Sequence, residues 1–282
     1  MKELNLAGIK LWLQKANTAD CIARVIIVHG GNEHSGRHQR TIKYLNSIGV
    51  ESISFDLKGH GRNRASFISL DDLANDLGKV FDWAKKSLDP KPTFLFGHSM
   101  GAAISLIFLH KNSPSDLQGL ILTSPSLKEG SAISTIHILA VKVLIRLFPK
   151  LELPDVFSSD CISTMREEVA RYNADPLVRH KTYIQMAADL LDTSKKAPEM
   201  MKALEVPLFL GLGSRDTIIN TESCVELFNI CGSQNKTLRI YEGSRHEIHH
   251  DFRAKELFSD IAEWIKNQAG VAKTVDKDQI TK

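Results

Sequence analysis

Long hydrophobic runs, clustered cysteines and blocks of like charge are all absent from this sequence of 282 residues. Its longest apolar stretches, residues 94–109 and 133–148, are shorter than the ~20 residues that span a bilayer. The first residues hold only the apolar clump Leu11-Trp12-Leu13, which is too short for the core of a signal peptide. The four cysteines form no CxxC pair and are interpreted as reduced thiols. We therefore expect a cytoplasmic protein, with peripheral contact to a membrane left open.

Charge is modest as well, with a formal net charge of +3 and no long run of lysine or arginine. A protein dedicated to nucleic-acid binding is therefore not expected. Hydrophobic residues make up 43% and charged residues 24% of the chain, which is typical of a folded globular protein. The length suits one large domain or two ordinary ones. Length, charge and composition do not determine an oligomeric state.

Short β-branched and aromatic runs alternate with longer helical patterns, which is typical of βα units around a mostly parallel sheet. The predicted strands are residues 24–28, 52–56, 93–96, 119–123, 208–212 and 237–241. The predicted helices are residues 37–48, 70–88, 100–110, 221–230 and 252–267. Because the strand runs are almost wholly apolar, both faces of the sheet should be covered, which predicts an α/β fold.

The βα alternation stops between Pro125 and Pro207, where helical or irregular segments replace it. We predict a core formed by residues 1–125 and 207–269, with residues 126–206 inserted as a helical cap. Residues 270–282 are polar and lack periodicity, which predicts a flexible tail.

The most informative motif is Gly97-His98-Ser99-Met100-Gly101, which follows one predicted strand and precedes a predicted helix. In that context G-x-S-x-G is typical of a nucleophile elbow, a strained turn that lifts a serine hydroxyl out of the sheet. Side chains at the two flanking positions would collide there, so both are glycine. The motif predicts that Ser99 is a nucleophile, and an idle serine in a tight turn is the alternative.

A serine nucleophile needs a base to take its proton and an acid to orient that base. Asp216 lies shortly after predicted strand 208–212, and His246 lies in the loop after strand 237–241. Because ligand sites form at the carboxyl ends of parallel strands, these two residues are predicted to complete a catalytic triad. His249 and His250 are alternative bases, and Asp216 would also suit a turn or a helix cap.

Backbone donors for a tetrahedral oxyanion are expected where the first parallel strand ends, at Gly30-Gly31. Glycines let the backbone approach a ligand, so the N–H groups of Gly31 and Met100 are the predicted oxyanion hole. No metal is predicted, because the histidines near His246 belong to no HExxH pattern and no other carboxylate cluster at ligand spacing supports one. A serine, a base and an acid that act through an acyl-enzyme require no cofactor either.

These residues and their surroundings resemble the monoacylglycerol lipase family of serine hydrolases. The resemblance extends from about residue 28 to residue 266. It is carried by His29-Gly30-Gly31-Asn32-Glu33-His34-Ser35-Gly36-Arg37, by Asp56-Leu57-Lys58-Gly59-His60-Gly61, by the elbow and by residues 236–243. It implies an α/β-hydrolase fold, whose mostly parallel central sheet is flanked by helices. A helical cap is inserted between the strand after the nucleophile helix and the strand that carries the acid.

The resemblance also implies roles for single residues. The family's triad corresponds to Ser99, Asp216 and His246, in agreement with the choice made from the residues. Its contacts with the glycerol end of the substrate correspond to Glu33, Arg37 and His249. One position departs from the mammalian members, which have an aromatic residue where this chain has Arg245.

The implied function is cofactor-independent hydrolysis of single-acyl lipids, in particular of monoacylglycerol to fatty acid and glycerol through an acyl-enzyme. A lysophospholipase of the same fold is the main alternative, since its substrates also present one acyl chain and a polar head. A non-catalytic lipid-binding or partner-binding relative need not keep serine, acid and base together. A peptidase of this fold is less consistent with residues 33–37.

The cap segment 133–148 has 11 apolar residues among 16, which predicts a helix that is apolar nearly all round. Such a helix needs cover on most sides. It can line an acyl tunnel, pack on the core, or contact lipid with Lys142 and Arg146 as anchors on one face.

Overall fold

The computed structural model describes residues 2–18, 20–63, 69–155 and 157–270. In these ranges the β-strands are β1 (Lys2–Leu6), β2 (Ile9–Gln14), β3 (Ala23–Val28), β4 (Val50–Phe55), β5 (Thr93–His98), β6 (Leu117–Thr123), β7 (Glu152–Pro154), β8 (Lys181–Tyr183), β9 (Leu208–Gly213) and β10 (Lys236–Tyr241). The α-helices are α1 (Gln39–Ser47), α2 (Leu70–Ser87), α3 (Met100–Asn112), α4 (Thr135–Leu147), α5 (Arg166–Ala174), α6 (Ile184–Lys202), α7 (Thr221–Asn229) and α8 (Ala254–Gln268).

Eight strands form one sheet in the order β1-β2-β4-β3-β5-β6-β9-β10. From β4 to β10 all neighbouring strands are parallel. All six predicted strands are present, with bounds within two residues of the prediction. The side chains of β3, β4, β5 and β9 are buried along their whole length, as expected for a sheet covered on both faces. The predicted mostly parallel α/β fold is confirmed.

The hairpin β1–β2, which was not predicted from the sequence, adds two antiparallel strands beyond β4. Its two-residue loop places Ala7 at φ 49° and Gly8 at φ 87°. A loop with positive φ at both positions is the hairpin turn usually marked by Asn-Gly or Asp-Gly. Alanine at the first position removes that signal, so the sequence did not predict the two strands on either side of the turn.

Helices cover both faces of the sheet. On one face α1 and α8 pack through apolar residues such as Ile42, Leu45, Leu257 and Ile261. On the other face α3 is buried from Met100 to Leu109 and packs against α2 and α6. This packing holds α3 and the turn that precedes it rigidly against the sheet.

Helix α2 begins as the sequence predicts. The Ser69 hydroxyl accepts a hydrogen bond from the Asp72 backbone N–H at 3.0 Å, which caps the helix.

Between β6 and β9 the chain forms α4, β7, α5, β8 and α6, the segment predicted as a cap. Besides helices it contains a short antiparallel ribbon, β7–β8. The boundaries of core and cap stay predictions, and the predicted tail lies outside the described residues from residue 271 onward. Among the helices of the described ranges, none is long and apolar enough to cross a membrane.

Candidate active site

Ser99 occupies the turn between β5 and α3 with φ 51° and ψ −117°, a conformation that L-residues rarely adopt. The glycines on either side are required by close backbone contacts. A Cβ on Gly97 would lie 2.7 Å from the Ala102 Cα atom, and one on Gly101 would lie 2.1 Å from the Val28 carbonyl oxygen. No side chain fits at either position, which is the reason the elbow motif needs both glycines.

The structure brings the three predicted triad residues together at the carboxyl ends of β5, β9 and β10. The His246 Nε2 atom lies 2.9 Å from Ser99 Oγ, and its Nδ1 atom lies 2.7 Å from Asp216 Oδ2. The other Asp216 oxygen accepts hydrogen bonds from the backbone N–H groups of Ile218 and Ile219. These bonds fix the carboxylate so that it orients the imidazole.

Electrostatics favour proton uptake by His246. Burial by itself would lower the pKa of this imidazole, but the charge of Asp216 and its hydrogen bond raise the pKa above 6.5. An imidazole that accepts a proton readily and holds it beside a carboxylate suits a general base.

The other two candidate bases do not contact Ser99. The His250 Nδ1 atom lies 2.8 Å from Glu247 Oε2, and its Nε2 atom lies 2.9 Å from the Arg37 carbonyl oxygen. His249 is fully buried, with its ring stacked on His38. Among the three histidines after β10, His246 is the one placed to take a proton from the nucleophile.

The loop after β3 lies against the nucleophile turn. A Cβ on Gly30 would lie 3.2 Å from the Ser99 Cβ atom, and one on Gly31 would lie 3.8 Å from the Met100 Cβ atom. Gly31 and Met100 both line the cavity in front of Ser99. The two predicted oxyanion donors therefore belong to backbone segments that meet beside the nucleophile.

Asn32, which the sequence analysis did not single out, ties this loop to the cap. Its φ is 61°, and its Nδ2 atom donates to Asp155 Oδ1 at 2.6 Å and to Thr182 Oγ1 at 2.9 Å. Its carbonyl oxygen accepts the backbone N–H of Arg179 at 2.8 Å. The β7–β8 ribbon of the cap thus holds the residue directly after Gly31, which helps to set the position of the loop.

A cavity opens in front of Ser99 between the sheet and the cap. Its walls are mostly apolar and include Ile138, Val141, Ile162, Met186, Leu190 and Ile218. Its polar lining residues include Glu33 and Glu247, whose carboxylates are buried. An acyl chain along the apolar walls with its ester at Ser99 would place polar head-group atoms near these carboxylates.

Of the three residues that the resemblance assigns to the glycerol end, Glu33 lines this cavity, whereas Arg37 and His249 are not among its lining residues. Arg37 is buried behind it, where it forms ion pairs with Glu247 and, at 3.3 Å, with Glu33. Its guanidinium also lies 4.7 Å from the centre of the Tyr172 ring. Arg37 therefore affects the cavity indirectly, because it pairs with the carboxylates of Glu33 and Glu247.

Both carboxylates are kept ionised. Burial would raise the pKa of Glu247, but the charge of Arg37 and a hydrogen bond with His250 lower it to about 2. The pKa of Glu33 is likewise held well below its usual value, because His38 and Arg37 outweigh the effect of burial. The polar lining of the cavity thus carries two negatively charged acceptors in a dry surrounding.

Two trios of ligand-type side chains lie behind the cavity, namely Glu33, His38 and His249, and Glu247, His249 and His250. The rings of His38 and His249 are nearly parallel, with an interplanar angle of 17°. In the first trio the lone pairs of these stacked rings do not converge on one ion, and in each trio the carboxylate is already paired with Arg37. These side chains do not form a metal site by their geometry.

Two further site residues were not predicted from the sequence. Glu247 directly follows the predicted base, and this adjacency was the available signal. Ser126 follows Pro125 after β6, and its Oγ atom lies 3.1 Å from Ser99 Oγ. Arg245, which stands where the mammalian members have an aromatic residue, donates through its guanidinium to the Ser163 and Asp160 carbonyls of the cap.

Comparisons with known proteins agree with this arrangement. The family model described as serine aminopeptidase, S33, matches residues 19–253. Monoglyceride lipase of Homo sapiens is 30% identical over 259 residues, which cover 89% of this chain and 85% of that protein. Phospholipase YtpA of Bacillus subtilis is 27% identical over 258 residues, covering 89% of this chain and 99% of that protein.

A solved structure is similar over almost the same length. The crystal structure of Paleococcus ferrophilus monoacylglycerol lipase superposes with a TM-score of 0.82 at 27% identity. The match covers 92% of this chain and 99% of that one. Core and cap segments are therefore both included in the shared fold.

Proposed function

Because this chain belongs to the monoacylglycerol lipase family within the serine aminopeptidase S33 hydrolases, it is a lipid ester hydrolase, and we propose that its substrate is a monoacylglycerol. The observation that carries the choice of head group is the pair of buried, ionised carboxylates, Glu33 and Glu247, that line the cavity near Ser99.

A glycerol head has hydroxyl groups that donate hydrogen bonds, and carboxylates are strong acceptors for them. The Glu33 Oε2 atom is paired with the Arg37 Nε atom at 3.3 Å, and a carboxylate oxygen has a second lone pair that can accept a further donor. A phosphate head group would instead bring negative charge next to two carboxylates in a medium of low dielectric constant. The polar lining therefore favours a neutral polyol.

The remainder of the cavity favours an acyl chain over a peptide. Its walls are apolar side chains from helices α4 and α6 and from residues 218–219. Peptide N–H and C=O groups that entered such a surrounding would lose their hydrogen bonds to water without replacement. A hydrocarbon chain has no hydrogen bonds to water to lose, and its transfer from water into an apolar cavity is favourable.

Hydrolysis begins with formation of an acyl-enzyme. Ser99 Oγ attacks the ester carbonyl carbon while His246 Nε2 takes the hydroxyl proton, and Asp216 stabilises the resulting imidazolium. The backbone N–H groups of Gly31 and Met100 stabilise the oxyanion of the tetrahedral intermediate. When the intermediate collapses, the carbon–oxygen bond to glycerol breaks and His246 protonates the leaving alkoxide. Water later hydrolyses the acyl-enzyme by the same steps.

A lysophospholipase is the second candidate, since Lys128 also lines the cavity and carries a positive charge.

The test is a comparison of kcat/KM for 1-monooleoylglycerol, oleoyl lysophosphatidylglycerol and oleoyl lysophosphatidylcholine, which share one acyl chain. We expect the highest value for monooleoylglycerol, and a lower preference for it in Glu33→Gln. A higher value for either lysophospholipid would overturn the proposed head group, and Ser99→Ala controls for background hydrolysis.

We also propose that helix α4 contacts a lipid surface. None of its residues is buried, and it presents an apolar stripe to solvent. The stripe consists of Ile136, Leu139, Val143 and Leu147, which are 78%, 61%, 49% and 64% exposed. Lys142 and Arg146 are exposed beside it. An apolar stripe with adjacent cations is typical of helices that lie in the interface of anionic membranes.

The opposite side of α4 contributes Ile138 and Val141 to the cavity wall. One helix thus borders the acyl cavity with one side and meets the lipid with the other. A monoacylglycerol leaving the bilayer beside α4 would have a short apolar route to Ser99.

A further inference from the structure

Ser126 makes two separate contacts with the nucleophile residue. Its backbone N–H donates to the Ser99 carbonyl oxygen at 3.1 Å, and its Oγ atom lies 3.1 Å from Ser99 Oγ. The residue follows β6 and lines the cavity. The backbone bond holds the Ser126 hydroxyl in place beside the reacting atom, and the triad itself does not require such a neighbour.

The direction of the bond between the two hydroxyls follows from counting protons. His246 Nδ1 carries the proton that is donated to Asp216 Oδ2, so His246 Nε2 is an acceptor. The single proton of Ser99 Oγ is donated to that acceptor at 2.9 Å. The hydrogen bond between the serines must therefore be donated by Ser126 and accepted by Ser99 Oγ.

We propose that Ser126 is a catalytic residue that donates a hydrogen bond to Ser99 Oγ when this atom leaves the acyl carbon during deacylation. The proposal rests on the acyl-enzyme mechanism proposed above.

The step concerned is the second half of the reaction. A water oxygen attacks the acyl carbonyl carbon while His246 Nε2 takes the water proton. The tetrahedral intermediate then collapses, so that the bond from carbon to Ser99 Oγ breaks with its electron pair going to Oγ. His246 returns its proton to Oγ, and the fatty acid is released. Ser126 keeps its own proton throughout and donates a hydrogen bond.

This donor acts unequally on the two half-reactions. In the acyl-enzyme Ser99 Oγ is an ester oxygen and a poor acceptor, whereas in the transition state of its departure it carries developing negative charge. The bond from Ser126 is thus stronger in the transition state than in the ground state, which accelerates deacylation. In acylation Ser126 already donates a hydrogen bond to the Ser99 hydroxyl of the resting enzyme. This bond therefore strengthens less on the way to the acylation transition state. From the typical strength of such bonds we expect Ser126→Ala to slow deacylation roughly 5- to 30-fold.

The test uses a p-nitrophenyl ester and measures the two half-reactions separately. The value of kcat/KM reports acylation, and the decay of the acyl adduct on the intact protein, followed by mass spectrometry after removal of excess substrate, reports deacylation. For Ser126→Ala we expect kcat/KM to stay within about twofold of wild type while the adduct lives roughly 5- to 30-fold longer.

Ser126→Thr, which keeps a hydroxyl, should restore the lifetime, and Ser126→Cys, a weaker donor, should give an intermediate one. Ser115→Ala, at the opposite end of β6, is the matched control.

The inference is overturned if Ser126→Ala lowers kcat/KM as much as it prolongs the adduct, since that is the result of a purely structural role. It is also overturned if the adduct lifetime is unchanged or if threonine fails to restore it. Failure of the acyl-enzyme mechanism itself would look different, because the wild-type enzyme would then show no adduct on Ser99.

Discussion

Replacement of Arg37 by methionine tests whether this residue holds the two cavity carboxylates. Methionine fills a similar apolar volume but removes the guanidinium that pairs with Glu33 and Glu247. The side chains of all three residues are at most 7% exposed, so water cannot replace the lost partner. The variant is thus left with two buried carboxylates whose remaining side-chain partners are the imidazoles of His38 and His250.

Loss of one partner from a buried ion pair typically destabilises a protein by about 3–5 kcal/mol. The contact between the Arg37 guanidinium and the Tyr172 ring, at 4.7 Å, adds about 1 kcal/mol. At pH 7 we therefore expect the free energy of unfolding to fall by roughly 4–6 kcal/mol, a large part of the ~5–15 kcal/mol of an ordinary domain. Glu247→Gln together with Arg37→Met should recover part of this loss, because the neutral amide needs no counter-charge.

The sign of the pH dependence is the sharper part of this prediction. In the wild type the pKa of Glu247 is lowered to about 2, so its stabilising contribution is present above the unfolded value of about 4.5 and is lost as pH falls toward 2. Arg37 is the largest of the effects that lower the pKa of this carboxyl against burial, so its removal should raise the pKa. Where the raised pKa exceeds that of the unfolded chain, the variant should gain stability as pH falls from 7 to 5, by up to about 1.4 kcal/mol for each pH unit below the raised pKa.

Urea denaturation of wild type, Arg37→Met and the double variant at pH 7 and pH 5 measures these differences. The reasoning is refuted if Arg37→Met costs less than about 1 kcal/mol at pH 7. It is equally refuted if the cost is the same at both pH values or if the double variant is no more stable than the single one.

Further predictions concern the triad and helix α4. A fluorophosphonate should label wild type but not Ser99→Ala, and label retained by the variant would exclude this serine as the nucleophile. Asp216→Asn should lower kcat by about 10⁴ with the fold unchanged by circular dichroism. The wild-type kcat/KM should rise with pH through a pKa above that of a free histidine, because the imidazole must be neutral. Leu139→Ser with Val143→Ser should weaken vesicle binding and slow hydrolysis of bilayer-embedded monoacylglycerol, while turnover of a short soluble ester changes little. Equal losses on both substrates would show that α4 acts through the cavity and not through the membrane.

Much of the fold follows from local patterns in the sequence. Runs of apolar residues that are buried on both faces predicted six strands of the sheet. The elbow was predictable because the collisions at Gly97 and Gly101 are with nearby or adjoining backbone, which any G-x-S-x-G turn of this kind shares. The hairpin β1–β2 was missed because Ala7 stands where the usual turn residue would have signalled it.

The partners of Ser99 were predictable for a related reason. His246 lies 147 residues further along the chain, yet both residues follow parallel strands, whose carboxyl ends meet at one edge of the sheet. Topology alone thus brings the triad residues close together.

Other features depended on contacts that no local pattern encodes. Arg37 was expected at the glycerol end of the substrate, but the fold places Glu247, 210 residues away, against its guanidinium, so its charge is used within the protein. Helix α4 is apolar nearly all round, so its sequence does not specify which side meets the cavity, and the packing of α4 against α6 decides this. Ser126 is an ordinary serine after a proline until β6 and β5 are paired in register, which brings its hydroxyl to Ser99. Short-range sterics and periodicity determine elements and turns, whereas the pairing of charges and hydroxyls depends on tertiary packing, since it joins groups that lie far apart along the chain.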